Sequence, residues 1–368
     1  MCRISGFWEF NNTPSEKSIS IITAMSQCLE HGGPDDDGVF LDSQTPLALG
    51  HRRLSIIDTS KNGHQPMQHP SGRWVICYNG EIYNFKDIKA ELEAHGDQFK
   101  STSDTEVILH AWDRWGEQCL SKFRGMFAIA IWDTQEKQLT LVRDRVGVKP
   151  LYWHYHAGVF MFASEIKALH HHPKFQKKVS MDALSLYFKH GYIRAPLSIF
   201  ENTFKLEPGH ILTIDQNQAI NQHMYWDVNT IANSPNNHDS HTERVDQLNA
   251  LLTDCIGLRM VSDVPVGGFL SGGIDSSLVT AIMQAQSERP VQSFTIGFED
   301  QAFNEASDAK AIASYLGTTH HEHICTAEDC LSVIPKLADI YDEPFADQSS
   351  VPTYLVSDMT KSYVKVAL

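Results

Sequence analysis

The stretch Gly267-Gly268-Phe269-Leu270-Ser271-Gly272-Gly273-Ile274-Asp275-Ser276-Ser277 constrains this chain more than any other. Ahead of it the apolar-rich Val261–Val266 predicts a strand. Behind it Leu278, Val279, Ile282 and Met283 recur at helical spacing. Strand, glycine-rich turn and helix together let backbone N–H groups approach a phosphate, with the positive end of a helix dipole behind them. Ser271, Ser276 and Ser277 can add hydroxyl donors, and Asp275 is a hard oxygen ligand suited to Mg²⁺. Gly267 and Gly272 have the Walker spacing, but Gly273-Ile274 stands where that pattern needs Lys-Ser/Thr, which argues against an ordinary P-loop kinase or ATPase. The plainer alternative is a loop that merely turns a strand into a helix.

Ser271 through Ser277 resemble the PP-loop of enzymes that split ATP into AMP and pyrophosphate. The surrounding pattern agrees with such a domain. Val291–Phe298 predicts a strand, Glu305–Leu316 a helix, His320–Ile324 a strand, Pro352–Thr360 a helix and Tyr363–Leu368 a strand. Alternation of this kind implies a parallel, doubly wound sheet. Thr242–Met260 predicts a helix with Val245, Leu248, Leu251, Leu252, Cys255 and Leu258 on its buried stripe. His320, His321 and His323 with Glu322 invite a metal, but on a strand only His321 and His323 share a face, and a surface strand explains them more simply.

A chain of 368 residues suggests two domains. The net charge of −15 disfavours broad nucleic-acid binding. No run reaches the length of a membrane span, and the N-terminus lacks the apolar core of a signal peptide. Seven cysteines, odd in number and without a CxxC pair, point to a reduced, cytoplasmic protein.

In the first half several residues have two readings each. Removal of Met1 would give Cys2 a thiol and a free α-amine that can serve as its base, yet Cys2 alone also reads as a small buried residue opening a strand. Arg52-Arg53 is a solvated edge or a fork for a carboxylate. Asn79-Gly80 after the strand Trp74–Tyr78 is a hairpin signal, or an oxyanion hole made of an amide and a backbone N–H. Asp104 caps a helix or holds an ammonium. Phe127–Asp133, Gln138–Arg143, Leu151–His154 and Val159–Ala163 alternate as strands and suggest layered sheets. His170-His171-His172 before Pro173 reads as a turn.

Taken in order, Cys2, Arg53-Leu54-Ser55-Ile56, Asn79-Gly80-Glu81-Ile82-Tyr83-Asn84 and Ser103-Asp104 resemble the class II glutamine amidotransferases, the N-terminal-nucleophile type. Phe123-Arg124-Gly125-Met126-Phe127-Ala128, Arg143-Asp144-Arg145-Val146-Gly147-Val148-Lys149-Pro150 and Ser164-Glu165-Ile166-Lys167-Ala168-Leu169 narrow the resemblance to the asparagine synthetase branch. It runs through essentially the whole chain. One departure is Gly32, where the family usually has Arg after the histidine of its turn.

The resemblance implies a four-layer αββα glutaminase domain over 2–215, a late strand and linker over 216–241, and the N-terminal part of an α/β ATP-binding domain over 242–368. It implies Cys2 as nucleophile and Asn79 with Gly80 as oxyanion hole. Arg53 would grip the glutamine carboxylate, with Leu54, Ser55, Ile56 and Ile57 in the same binding segment, and Glu81 and Asp104 would hold the α-amine. ATP would meet Leu270, Ser271, Gly272, Gly273, Asp275, Ser276, Ser277 and Ile296, with Mg²⁺ on Asp275. The implied activity is synthesis of asparagine from aspartate, glutamine and ATP, without nucleic acid or membrane and with a homodimer left open. The family continues beyond the point matched by Leu368 with a segment that contacts pyrophosphate and metal. A fragment, or a chain that hydrolyses glutamine without coupling ammonia to ATP, is therefore expected. Other readings are a sugar-acid or peptide acceptor, prompted by Asp342-Glu343-Pro344-Phe345-Ala346-Asp347, and a non-catalytic ATP- or glutamine-sensing module.

Overall fold

The computed structural model describes residues 2–233, 240–299 and 304–368. It divides into two compact units: Met1–Ser234 with Asp342–Phe345, and Pro235–Tyr341 with Ala346–Leu368. Within the described residues no helix is long and apolar enough to cross a membrane.

Twelve strands build the first unit: β1 (Arg3–Glu9), β2 (Asp36–Leu41), β3 (Leu47–Arg53), β4 (Met67–Gln68), β5 (Trp74–Ile82), β6 (Gly125–Asp133), β7 (Gln138–Arg143), β8 (Tyr152–His156), β9 (Val159–Ala163), β10 (Thr203–Lys205), β11 (His210–Ile214) and β12 (Ile220–Met224). They form two six-stranded sheets, ordered β10-β8-β9-β1-β3-β2 and β12-β11-β7-β6-β5-β4. The pairings are antiparallel throughout.

Period-two alternation explains the layering. Ile4 and Trp8 of β1, Leu47 and Leu49 of β3, and Phe160 and Phe162 of β9 point into one core shared with Val75, Cys77, Ala130, Trp132, Leu141 and Leu212 of the other sheet. Their neighbours Phe7, Ala48, Val159 and Met161 point the opposite way, onto Ile22, Met25 and Leu29 of the helix Glu16–Gln27 or its flank. Helix Asp104–Trp115 covers the outer face of β5 and buries Val107, Ile108 and Ala111. Helix, sheet, sheet and helix give the expected αββα order. Because both sheet faces are covered, a strand such as Val159–Ala163 reads as an unbroken apolar run.

Several elements run past their expected ends. β2 and β3 lengthen into the expected polar turn and the Arg pair, so that Arg53 ends a strand rather than opening a loop. β12 pairs with β11, so the sheet continues beyond residue 215. Within the expected linker over 216–241, Val228–Ala232 is a short helix, and 234–239 lie outside the described residues.

The second unit has a four-stranded parallel sheet made of β13 (Val266–Phe269), β14 (Gln292–Phe298), β15 (Thr319–Cys325) and β16 (Val366–Ala367), in the order β15-β14-β13-β16. Helices Ile274–Ala285 and Ala306–Leu316 are the crossovers between its first three strands. The strand order reverses direction of growth at β13, which is where open α/β sheets bind ligands.

Two expectations fail here. The strand is not Val261–Val266 but Val266–Phe269, with Gly267 and Gly268 inside it opposite Gln292 and Ser293. The stripe of helix His241–Arg259 is only partly covered: Leu252 and Ile256 pack against Ile282, Met283 and Val291, whereas Val245, Leu248 and Leu251 are exposed. Helical spacing identified a face but not how much of it meets a neighbour.

Candidate active site

Cys2 sits immediately before β1, and Leu54 immediately after β3; the register Arg3 opposite Arg52 places them side by side. The Leu54 N–H donates to Cys2 Sγ at 3.3 Å. Burial pushes the Cys2 thiol up, while the Leu54 backbone and the Arg53 charge pull it back. A narrow cleft opens beside it, lined by Cys2, Arg53, Leu54, Ile56, Ile57, Gln65, Tyr78, Gly80, Glu81, Ser103, Asp104 and Thr105. Ser55 is buried but does not line the cleft, and its N–H donates to Asp35 Oδ2 at 2.8 Å.

Asn79-Gly80 is not a hairpin turn. Both residues lie inside β5, opposite Ala128 and Phe127 of β6. A Cβ on Gly80 would stand 2.2 Å from the Met126 carbonyl oxygen, so only glycine allows this approach. The Asn79 side chain is fully buried; its Nδ2 points at Ser164 Oγ at 3.5 Å, and its Oδ1 finds no hydrogen-bond partner among the described residues. A buried amide with spare capacity is unusual in a packed interior, and a ligand is one way to satisfy it.

Two carboxylates share the far wall. Asp104, first residue of its helix, accepts from Tyr78 Oη at 2.9 Å and from the Ile82 N–H at 3.0 Å. Burial raises it to about 6 despite those bonds. Burial and then the Asp104 charge raise Glu81 to about 7, with Lys149 pulling the other way. Two acids held so reluctantly as anions want a cation between them. Asp104 is thus more than a cap; Ser103 does the capping, accepting from the Thr105 N–H at 3.2 Å.

Arg53 is buried, and its guanidinium donates to the carbonyls of Ser60 at 2.8 Å, Ile57 at 3.4 Å and Asp58. It therefore holds the 57–60 loop as well as lining the cleft. Tyr78, Gln65 and Thr105 were invisible in the sequence as site residues. Gln65 accepts from the Tyr78 N–H at 2.7 Å and donates to Thr105 at 3.1 Å, a bond that only the fold creates.

In the second unit an open pocket of about 320 Å³ lies at the carboxyl ends of β13 and β14, lined by Leu270, Ser271, Ser276, Phe294, Ile296, Pro352 and others. Leu270, Ser271, Ser276 and Ile296 of the expected set thus meet at one place. Gly272, Gly273, Asp275 and Ser277 do not line it. The serine hydroxyls are spent within the loop: Ser271 Oγ and Ser276 Oγ are 2.8 Å apart, Ser271 Oγ accepts from the Gly273 N–H at 3.1 Å, and Ser277 donates to the Gly273 carbonyl at 2.6 Å. Asp275 is exposed in the first turn of its helix, and no cluster of three or more His, Cys, Asp or Glu able to hold a metal occurs among the described residues. His320 hydrogen-bonds Ser293 at 2.9 Å, and His321 hydrogen-bonds Gln292 at 2.6 Å.

Paired antiparallel sheets between helices, with a cysteine at the N-terminal edge sharing one cleft with two buried acids, define a glutamine amidotransferase-type unit. Residues 1–226 match the family described as glutamine amidotransferase domain, and residues 247–368 the one described as asparagine synthase. Among relatives, a Methanocaldococcus jannaschii chain provisionally named an asparagine synthetase [glutamine-hydrolyzing] is 36% identical, over all of this chain and 73% of that one. Asparagine synthetase [glutamine-hydrolyzing] 1 of Bacillus subtilis is 36% identical over all of this chain and 57% of its own length. Asparagine synthetase [glutamine-hydrolyzing] 3 of the same organism is 34% identical over 99% of this chain and 61% of its own. The chain belongs to the family of glutamine-hydrolysing asparagine synthetases, and it spans less than two thirds of the length of the two Bacillus relatives.

Proposed function

We propose that this chain carries out glutamine-dependent amidation of the asparagine synthetase type, with glutamine hydrolysis in the first unit and ATP-dependent activation of aspartate in the second. Once Met1 is removed, the Cys2 α-amine takes the thiol proton as sulfur attacks the side-chain amide carbon of glutamine. The oxyanion so formed meets the Asn79 amide and the Gly80 N–H. Collapse transfers that proton to the departing ammonia and leaves a thioester, which water resolves to glutamate. Glu81 and Asp104 bind the substrate ammonium, and Arg53 its carboxylate. In the second unit the β-carboxylate of aspartate attacks the α-phosphorus of ATP, pyrophosphate leaves and an acyl-adenylate forms, since a free carboxylate is a poor electrophile; ammonia then displaces AMP to give asparagine. The cavity beside Leu270 and Ile296 receives the adenosine, the loop Ser271–Ser277 the phosphates, and Asp275 a Mg²⁺ ion that would neutralise phosphate charge.

The observation that carries this reading is the convergence of Cys2, Gly80 with Glu81, and Asp104 from three separate stretches on one cleft, with Asn79 beside Gly80 in β5. The test supplies glutamine, aspartate, ATP and Mg²⁺ and measures glutamate, AMP and asparagine separately. Wild-type protein is expected to form glutamate, and Cys2→Ala none. Glutamate release undiminished in Cys2→Ala would sink the assignment.

A further inference from the structure

Gly32 departs from the arginine usual at that point of the turn, and the space above it is filled. A Cβ built on Gly32 would lie 2.7 Å from Arg3 Cγ and 2.8 Å from Arg3 Cζ and Nε. Arg3, the residue after the nucleophile, lays its side chain there. Its Nη1 donates back to the Cys2 carbonyl at 3.1 Å, and its Nε donates to Glu165. Glu165 also receives His31 Nε2 at 3.0 Å and Lys167 Nζ at 2.9 Å. Lys167 in turn lies 3.6 Å from Asp342, which accepts from the Ile166 N–H. Burial alone would raise the Glu165 carboxyl, but the His31, Arg3 and Lys167 contacts hold it well below the usual carboxylate range, so it stays an anion and an anchor.

Cys2 is therefore held at two points. Leu54 binds its thiol from one side, and the Arg3 guanidinium binds its carbonyl from the other. Rotation of the Cys2 residue about these contacts sets where its α-amine and thiol lie relative to each other and to Asn79. We propose that Arg3 is a positioning residue for the nucleophile, reaching from β1 through the opening left by Gly32 to hold the Cys2 carbonyl. Residues 3 and 32 then form an exchangeable pair: one arginine and one glycine fit, two arginines clash, and two glycines leave the Cys2 carbonyl without its guanidinium and Glu165 with His31 and Lys167 alone. The inference rests on Cys2 being the nucleophile.

The experiment uses the full chain, with removal of Met1 checked by mass spectrometry and folding by circular dichroism. Steady-state glutamine hydrolysis is measured for wild type, R3A, R3K and R3G/G32R. The pH dependence of Cys2 alkylation by iodoacetamide is followed in parallel. Small misplacement of a reacting group costs about 10- to 100-fold in rate. R3A is expected to lose that much kcat with KM within about twofold, to shift its alkylation profile, and to recover partly when free guanidinium is added below denaturing concentrations. R3G/G32R is expected to exceed R3A in kcat. If R3A does not fold, R3K decides: it keeps the charge but loses the forked donor, so a lower kcat at unchanged KM supports the role and wild-type kcat overturns it. Wild-type kcat and alkylation in R3A, or a double variant no better than R3A, would also overturn it. A wild type without glutaminase activity whose alkylation still responds to R3A would sink the glutaminase reading and leave the positioning role standing.

Discussion

The two candidate sites differ in how their polar groups are held. In the first unit the cleft is lined by acids that the fold leaves wanting, Asp104 raised to about 6 and Glu81 to about 7, and in β5 next to them the buried Asn79 oxygen has no partner among the described residues. In the second, the hydroxyls of Ser271 and Ser276 already bond each other and that of Ser277 the Gly273 carbonyl, at an exposed loop. Cost explains the contrast. A polar group in a dry interior that lacks a partner is penalised heavily, so the first cleft is prepared for a ligand that supplies the complementary charge. An exposed loop stores no such penalty, and a phosphate there must displace existing hydrogen bonds.

The sharpest test of that contrast is Asn79→Ala. Loss of one oxyanion donor typically costs about 3 kcal/mol, roughly a hundredfold in rate. We expect kcat for glutamine hydrolysis to fall by about that factor while KM changes little. Arg53→Ala should do the reverse, raising KM most, because a carboxylate grip acts on ground and transition states alike. Interchanged behaviour of the two would break the assignment of the cleft.

A second, smaller effect follows from the acids. Both are raised, so both lose their charge as pH falls through about 7 for Glu81 and about 6 for Asp104 in the empty cleft. Neutral carboxyls do not attract an ammonium, so KM for glutamine should climb over that interval, and Asp104→Asn should flatten the lower part of the profile. A pH-independent KM in the wild type would show that neither acid meets the amine.

The units should also part in acid. Burial lowers His51 to about 3 and His154, His170 and His172 to about 4, all in the first unit. Their folded pKa values lie below the unfolded value of about 6.5, so the unfolded chain binds more protons over this range and stability falls as pH drops from about 6.5 toward 4. In the second unit only His320 is lowered in this way among the described residues. Calorimetry of the whole chain should show the first unit's transition moving down more steeply with acid; parallel movement of both would count against these histidines being neutral.

Smallest of all should be Ser276→Ala. It removes the hydroxyl to which the Ser271 N–H donates at 3.0 Å, but at a surface where water can replace it. We expect Tm to move by about 2 °C or less and ATP binding by less than about tenfold, measured by calorimetric titration. A loss of folding would mean that the loop is prepared as tightly as the glutaminase cleft.

Much was legible in the residues themselves. Short apolar stretches between turn signals, Val159–Ala163 and Gln138–Arg143, marked strands whose bounds the structure keeps, because a sheet covered on both faces buries residues of either direction. Cys2, Asn79, Gly80, Glu81 and Asp104 could be singled out because each is a residue type that its chemistry requires. Local pattern could not say whether Asn79-Gly80 turns the chain or lies in a strand; pairing with β6, about 45 residues away, decided it. Nor could spacing show that the Val245–Leu251 face of its helix is exposed, since the same period serves a covered and an uncovered stripe. Polar contacts were the least legible: Arg3 meets Glu165 across 162 residues and Gln65 meets Thr105 across 40. Sequence determined which groups were available, through short-range periodicity and the side chains' own chemistry. Tertiary structure alone decided which of them are dry, which are paired and which are left wanting, because burial and partner choice are set by residues distant in the chain.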